Sequence, residues 1–427
     1  MKDKQYQVVI IGGGTAGITV ASKLKRKKLN LKVAIIDPTD HHYYQPAWTL
    51  VGAGTFNMQD TIRPEKDYIP KGVDWIKEYA EDIDPENNLV TIKNGDKYSY
   101  DYLVVAPGIK IDLSLLDGLT ETMDKNNVCS NYTNPEYTWE VLQKTKKGVA
   151  LFTQAPTPIK CGGAPQKIAY LSADYFRKNG LAKDVKTVLA LPGSVIFGVK
   201  EFADTLMQVV YRYGMILKFY HKLTKIDAVN KVAHFTLTAT DESNCIITVN
   251  DDDNVIHEEI VGEAKVTIPY DMLHLAPPQT APDLVSKSLL AHKEGVNKGW
   301  MKVNQFTMQS PDYFNVFGLG DSAALPTAKT GAAVRKQAPV IVENILRLMD
   351  SKDILPESKG YNGYSSCPLV TGYGKMLLAE FGYGNKRMSD SLLSTFVDTT
   401  KEQYSMWLLK KYGLPILYWN FMLRGKA

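Results

Sequence analysis

The sequence predicts an α/β protein of two doubly wound units, each a parallel sheet covered by helices, followed by a C-terminal region of different character. Three observations predict it. A strand, a glycine-rich turn and a helix open the chain and lead into a second strand; an apolar strand closing on glycine and aspartate lies far downstream; strand-like runs of their own fill the stretch between. At roughly 100 to 200 residues per domain, the 427 residues make two or three domains. Hydrophobic residues at 44% and charged residues at 22% exclude a disordered chain and a polytopic membrane protein. Lys+Arg 50 against Asp+Glu 46 leaves a net charge of +4, and the one dense basic run (Lys23, Lys25, Arg26, Lys27, Lys28) has no aromatic platform beside it. No nucleic-acid partner is therefore expected. The cysteines Cys129, Cys161, Cys245 and Cys367 are scattered without CxxC or zinc spacing, which predicts a cytosolic chain with no metal site. The short charged stretch before Gln7 leaves no room for a signal peptide. No apolar run reaches the roughly 18 residues of a membrane span, so any membrane contact is peripheral.

The first element is the apolar strand Val8 to Ile11, which runs into Gly12, Gly13, Gly14, Thr15, Ala16 and Gly17. A helix with apolar Ile18, Val20 and Leu24 follows, then a second strand, Val33 to Ile36, ending at Asp37. This is G-x-G-x-x-G in its required setting. Gly12 permits the tight turn, Gly14 lets backbone N–H groups approach a pyrophosphate, Gly17 allows close strand-helix packing, and Asp37 can accept from a ribose. The strand Tyr102 to Val105 ends in Ala106, Pro107 and Gly108. The later strand within Tyr313 to Asp321 closes on Gly318, Gly320 and Asp321. A Gly-Asp pair after a strand suits the ribityl and phosphate part of a flavin, so the expected dinucleotide is FAD. The FAD-binding domain is then assembled from residues 1–147 and 272–350.

The inserted stretch, residues 148–271, reads as a second unit of the same kind, with strands at Val149 to Phe152 and Val188 to Leu191. The place where a nicotinamide-binding fingerprint is expected reads LPGSVIFGVKEFAD, with bulky Val195, Ile196 and Phe197 between Gly193 and Gly198. The fold is expected to persist there and the nicotinamide to be absent. Residues 351–427 begin with a turn-rich segment around Cys367 and end in Tyr404 to Arg424, which mixes apolar bulk and Trp/Tyr with Lys410, Lys411 and Arg424. Such a segment suits a membrane interface, and Pro415 is expected to break it into two short helices. The bland alternative is a tail packed on its own core or on a homodimer partner.

Cys161 stands between Lys160 and Gly162, just before a helix that runs from Lys167 to Arg177 with Pro165 near its start. The helix dipole and Lys160 and Lys167 favour its thiolate. A flavin enzyme without a nicotinamide site must take electrons elsewhere, and Cys161 and Cys367 meeting beside the flavin can accept them by thiol-disulfide chemistry. Cys129 and Cys245 read as structural. His41 and His42 are adjacent and share no helical face, so they read as part of a loop over the nucleotide rather than as metal ligands.

At these residues the sequence resembles the sulfide:quinone oxidoreductases, in particular the branch that includes the animal mitochondrial enzymes. The resemblance runs nearly end to end, through GGGTAGIT at the fingerprint, HHYYQPAWTLVGAG at 41–54, KCGGAPQKIAYLS at 160–172, FGLGDSAALPTAKT at 317–330, SSCPLVTGY at 365–373 and LYWNFMLRG at 417–425. It implies two Rossmann-like domains, an FAD domain and a degenerate NAD-type domain, with a C-terminal membrane-docking region that admits quinone. It implies Cys161 and Cys367 as the catalytic pair, with sulfide attacking their disulfide or trisulfide, a persulfide left on Cys367 and a thiolate on Cys161. A small thiol or sulfite would remove the sulfane sulfur while electrons pass through FAD to quinone. Thr15, Ala16, Asp37, Gln45, Asp321 and Lys329 match cofactor-contacting positions, joined by Gly12, Gly14, Gly17, Pro107 and Gly320. The implied location is peripheral, on the cytoplasmic face of the cell membrane. A third cysteine used by another bacterial branch has no evident equivalent. Two rival readings remain: a type II NADH:quinone oxidoreductase, opposed by the missing second fingerprint, and a non-enzymatic flavin redox sensor, opposed by the amphipathic tail.

Overall fold

The structure, a computed structural model, describes residues 4–239, 247–389 and 397–427. Cys245 lies outside the described residues. The strand Lys4–Ile11 sits at the centre of a seven-stranded sheet. Its C-terminal half is apolar on both faces because both are covered, Val8 and Ile10 by helices and Val9 and Ile11 by Leu290, Trp300 and Met301 of the chain that follows the second unit, leaving no solvent face that would require alternation. Val33–Ile36 and Lys97–Val105 flank it in parallel, with Ile10 opposite both Ile35 and Val104. Val73–Ile76 extends the sheet on one side, and Val316–Gly318, from far downstream, pairs with Lys97–Val105 on the other. The helix Thr15–Lys27 packs against the helix Gly331–Met349, where Ile18, Val20 and Leu24 share one core with Ala338, Ile341 and Ile345.

A second sheet has the order Val128–Cys129, Met272–Leu275, Gly148–Thr153, Val185–Ala190, Ile216–Lys218, Thr248–Val249. It draws two of its strands from outside residues 148–271, and Leu116 and Leu119 join the core behind it, so the folded unit is wider than the segment expected from sequence. Its strand order also corrects the place of the second fingerprint. Gly148–Thr153 is the first strand of the unit's central βαβ, paired with Val185–Ala190 on one side and Met272–Leu275 on the other. The connection order reverses at that strand, and ligands of such sheets bind at this switch point. The fingerprint position is therefore the loop 154–163 leading into the helix Ala164–Lys178, and LPGSVIFGVK lies one strand later. The loop at the switch point is longer than a G-x-G-x-x-G turn and carries Cys161.

The C-terminal region opens with an antiparallel hairpin, Ser365–Gly372 against Lys375–Phe381, in which Cys367 faces Ala379. The hairpin shares a core with the helix Ala164–Lys178. The tail corrects a second expectation: Tyr404 to Met422 is one continuous helix, because two wider i→i+5 turns, Leu409–Gly413 and Tyr418–Met422, flank the turn containing Pro415. A widened turn moves the carbonyl that the proline ring would otherwise strike. One face of this helix buries Tyr418, Trp419, Met422 and Leu423 in the core of the first unit, while Tyr404, Leu408, Tyr412, Ile416 and Phe421 form an exposed apolar stripe opposite.

Candidate active site

Cys161 and Cys367, distant in sequence, come together where the switch-point loop of the second unit meets the C-terminal hairpin. Cys161 adopts φ +79°, a left-handed backbone that costs a non-glycine residue of order 1–3 kcal/mol and persists only where neighbours fix it. Here they do. The Cys161 N–H donates to the Lys329 carbonyl at 3.1 Å, while its own carbonyl accepts from the Ala164 N–H at 2.7 Å and the Tyr132 hydroxyl at 3.1 Å. Cys367 is held by the hairpin ladder and is 4% exposed. Gly163 permits the approach, since a Cβ there would fall 2.7 Å from the Cys367 sulfur. Neither cysteine is in a disulfide, and each sulfur shifts the titration of the other.

Two buried ammonium groups face the pair. Lys167 Nζ lies 3.3 Å from Cys161 Sγ, and Lys167 is 3% exposed. Lys410, from the tail helix, is 2% exposed and donates to the Pro46 carbonyl at 2.6 Å. The hydrogen bond from Cys367 holds the Cys161 thiol well below its ordinary range; burial opposes this, and Lys167 and Lys410 add to it. Cys367 moves the other way, well above the ordinary thiol value, because of the same hydrogen bond and its burial. The pair therefore holds its shared proton preferentially on Cys367 and leaves Cys161 the more acidic sulfur. Burial works against the Lys167 charge, yet the two sulfurs raise it above its usual value. Lys410 is pulled down to about 7 by burial and by its neighbour Lys167, with the sulfurs opposing.

The glycine fingerprint forms a cradle of the expected kind. A Cβ on Gly12 would meet the Ala106 carbonyl oxygen at 2.3 Å, with Pro107 beside it, and one on Gly17 would lie 1.9 Å from the Gly12 oxygen. By contrast, nothing lies within 4 Å of the Cβ position of Gly14, so the ground in front of the helix N-terminus is open. Asp37 accepts from the Gly13 N–H at 2.6 Å and the Thr39 N–H at 2.8 Å. The buried Glu65 Oε1 beside this turn has no partner. These features fit a dinucleotide whose diphosphate meets Thr15 and Ala16 and whose ribose meets Asp37. At the downstream segment, Gly320 takes φ +71°, and a narrow cleft runs past Gly320, Ala323, Lys329, Thr330 and Ala333. The Lys329 ammonium donates to the carbonyls of Asp321 at 2.7 Å and Ala323 at 2.9 Å, bracing this segment; burial lowers it to about 8. Gln45 opens the short turn Gln45–Ala47, next to the carbonyl that Lys410 holds. An apolar recess of about 340 Å³ lies between Phe197, Val199, Pro326 and Phe381, the last opposite Ser365 on the Cys367 hairpin.

Two α/β units, a dinucleotide cradle and a thiol pair define a pyridine nucleotide-disulphide oxidoreductase, and the model of that family matches residues 6–336; the chain belongs to it. Within it the chain belongs to the sulfide:quinone oxidoreductase family. It is 38% identical to the mitochondrial sulfide:quinone oxidoreductase of Mus musculus over 98% of this chain and 87% of that protein, and 39% identical to that of Dictyostelium discoideum over 98% and 86%. The solved sulfide:quinone oxidoreductase of Aquifex aeolicus has the same fold, with a TM-score of 0.77 at 21% identity over 99% of this chain and 92% of that one. The cofactor is FAD.

Sequence reasoning placed Lys167 beside Cys161 but missed Lys410, Tyr132 and Gly163. Lys410 carries one signal in the sequence, a cation inside an apolar helix, and that pattern equally suits the flank of a membrane surface. Among the described residues no helix is long and apolar enough to cross a membrane. Cys129 is buried within the second sheet, opposite His274.

Proposed function

We propose that Cys161 and Cys367 are the redox pair of a sulfide:quinone oxidoreductase in which Lys167 and Lys410 set the charge of the sulfurs. The observation that carries this reading is a thiol pair, Cys367 buried and Cys161 half-buried, beside two buried lysines, one contributed by the tail. In the oxidised enzyme, hydrosulfide attacks Sγ of Cys367; the S–S bond breaks, Cys367 carries the persulfide, and Cys161 leaves as a thiolate stabilised by Lys167. A small thiol or sulfite then takes the outer sulfur, and Cys367 returns as a thiol. The Cys161 thiolate and the Cys367 thiol re-form the disulfide, releasing one proton and one electron pair, which balances the oxidation of sulfide to sulfane sulfur. When bound, FAD supplies the relay for that pair to quinone. Gly12, Gly14, Thr15, Ala16 and Gly17 would hold its diphosphate, Asp37 its ribose, and Gln45, Pro107, Gly320, Asp321 and Lys329 the flavin half.

The exposed stripe from Tyr404 to Phe421 would dock the enzyme peripherally, on the cytoplasmic face of the membrane, with Lys411 and Arg424 at the headgroups. Its reverse face is core, so the membrane and packing readings of the tail are two sides of one helix. The test is anaerobic flavin bleaching by sulfide and by NADH in parallel. Sulfide should bleach the wild type and NADH should not. Cys161→Ser and Cys367→Ser should each keep FAD and lose sulfide oxidation by at least about 10²-fold. Bleaching by NADH alone, or wild-type turnover in either variant, would overturn the proposal.

A further inference from the structure

The tail helix also reaches the dinucleotide turn, through a buried polar chain that the sulfur chemistry does not use. Tyr418 Oη lies 2.6 Å from Thr15 Oγ1 and 2.6 Å from His42 Nε2, and His42 Nδ1 lies 3.0 Å from Glu65 Oε2. One direction of donation satisfies every link: Thr15 to Tyr418, Tyr418 to His42 Nε2, and His42 Nδ1–H to Glu65. Tyr418, His42 and Glu65 are all buried. Rings seal the chain, with Tyr44 at 4.8 Å from Tyr418 and Tyr68 at 4.9 Å from Trp419 between centroids.

The chain ends beside the cradle. Glu65 Oε1 is unpartnered, and a Cβ on Gly13 would fall 2.7 Å from it and 3.0 Å from the Asp37 side chain. At the other end, Thr15 is the first residue of the helix Thr15–Lys27, whose N-cap, Gly14, supplies no side-chain cap. The N–H groups of that first turn therefore remain available to an anion. A free Thr15 hydroxyl could turn back toward the local backbone; committed to Tyr418, it leaves the turn in its binding geometry.

We infer that Tyr418 is a positioning residue for the FAD diphosphate, so that seating of the tail helix and retention of FAD favour one another. The inference rests on the assignment of the Gly12–Gly17 turn to FAD. The coupling is reciprocal: what the tail adds to FAD affinity, FAD adds to tail docking.

The test uses full-length protein stripped of FAD and titrated with it, read by flavin fluorescence, alongside limited proteolysis of the tail with and without FAD. Tyr418→Phe keeps the ring and removes both hydroxyl bonds; FAD affinity should fall about tenfold. Thr15→Val should fall alike from the opposite end, and Thr15→Ser, which keeps the hydroxyl, should retain wild-type affinity. In the wild type the tail should be cut faster after FAD is removed, and in Tyr418→Phe this dependence should shrink. Unchanged affinity in Tyr418→Phe and Thr15→Val, or wild-type tail cleavage indifferent to FAD, would overturn the inference. Gly14→Asp tests its foundation separately: a carboxylate facing the diphosphate should abolish binding, and retention of FAD there would refute the assignment of the turn itself.

Discussion

Replacing Lys167 with methionine gives the sharpest test of how the thiol pair is charged. The substitution keeps the length and burial of the side chain and removes its cation, whose nitrogen lies 3.3 Å from the Cys161 sulfur. At an effective dielectric of ~20 a full ion pair at that distance is worth about 5 kcal/mol. The net effect is smaller, because Lys410 responds. Lys167 is one of the causes that depress Lys410, so deleting Lys167 raises the proton affinity of Lys410, which then carries part of the load. An opposite charge at contact range moves a pKa by about one to three units, so the Cys161 midpoint should rise by about that much. In reduced protein, thiolate absorbance followed against pH gives the midpoint directly. Alkylation of Cys161 should slow at pH values between the wild-type and variant midpoints, since the thiolate is the nucleophile. FAD content serves as the control for folding. An unchanged midpoint with FAD in place would refute the ion-pair account, and a lower one would reverse its sign.

Lys410 supplies a pH dependence. Its ammonium is lowered to about 7, so its charge is present below that pH and lost above it; sulfide oxidation should decline as pH rises through about 7, and Lys410→Met should lack that limb in a pH–rate profile. Trp419 is 2% exposed; Trp419→Ala should cost about 3–5 kcal/mol, measured by denaturant unfolding of the holoprotein, and a change below about 1 kcal/mol would remove the tail from the core. Ile416→Glu combined with Phe421→Glu places charges on the exposed stripe alone. Fold and FAD content should be kept and vesicle binding lost in a flotation assay, whereas binding equal to wild type would end the docking proposal.

The first dinucleotide unit was legible because its signals are local: glycines at fixed spacing mark a turn whose backbone geometry admits little else. Cys161 was legible for the same reason, as a thiol just before a helix N-terminus. What depended on strand order was not. LPGSVIFGVK, with Gly193 and Gly198, resembles a degraded second fingerprint, while the actual switch-point loop, 154–163, has only the adjacent pair Gly162 and Gly163, without G-x-G-x-x-G spacing, and is identified by the pairing of Gly148–Thr153 with Met272–Leu275. Pro415 misled because proline rules assume i→i+4 turns, and the widened turns on either side accommodate it. Lys410 could not be placed from sequence, since its role arises only when the tail folds back to the Pro46 carbonyl.

The hydrogen bond between Thr15 and Tyr418 joins residues 403 positions apart, and Ser22 likewise donates to the Leu423 carbonyl at 2.6 Å. A ribosome releases the glycine turn early and the tail helix long afterward. Throughout that interval the nascent turn lacks Tyr418 and Trp419, and Cys161 lacks both Cys367 and Lys410. The holoenzyme is thus completed after translation has passed the tail, and a chain halted upstream of Cys367 would expose a half-built cradle and an unpaired, less acidic thiol. Quality control of such fragments therefore has a chemical handle: a lone cysteine whose reactivity differs from that of the finished pair.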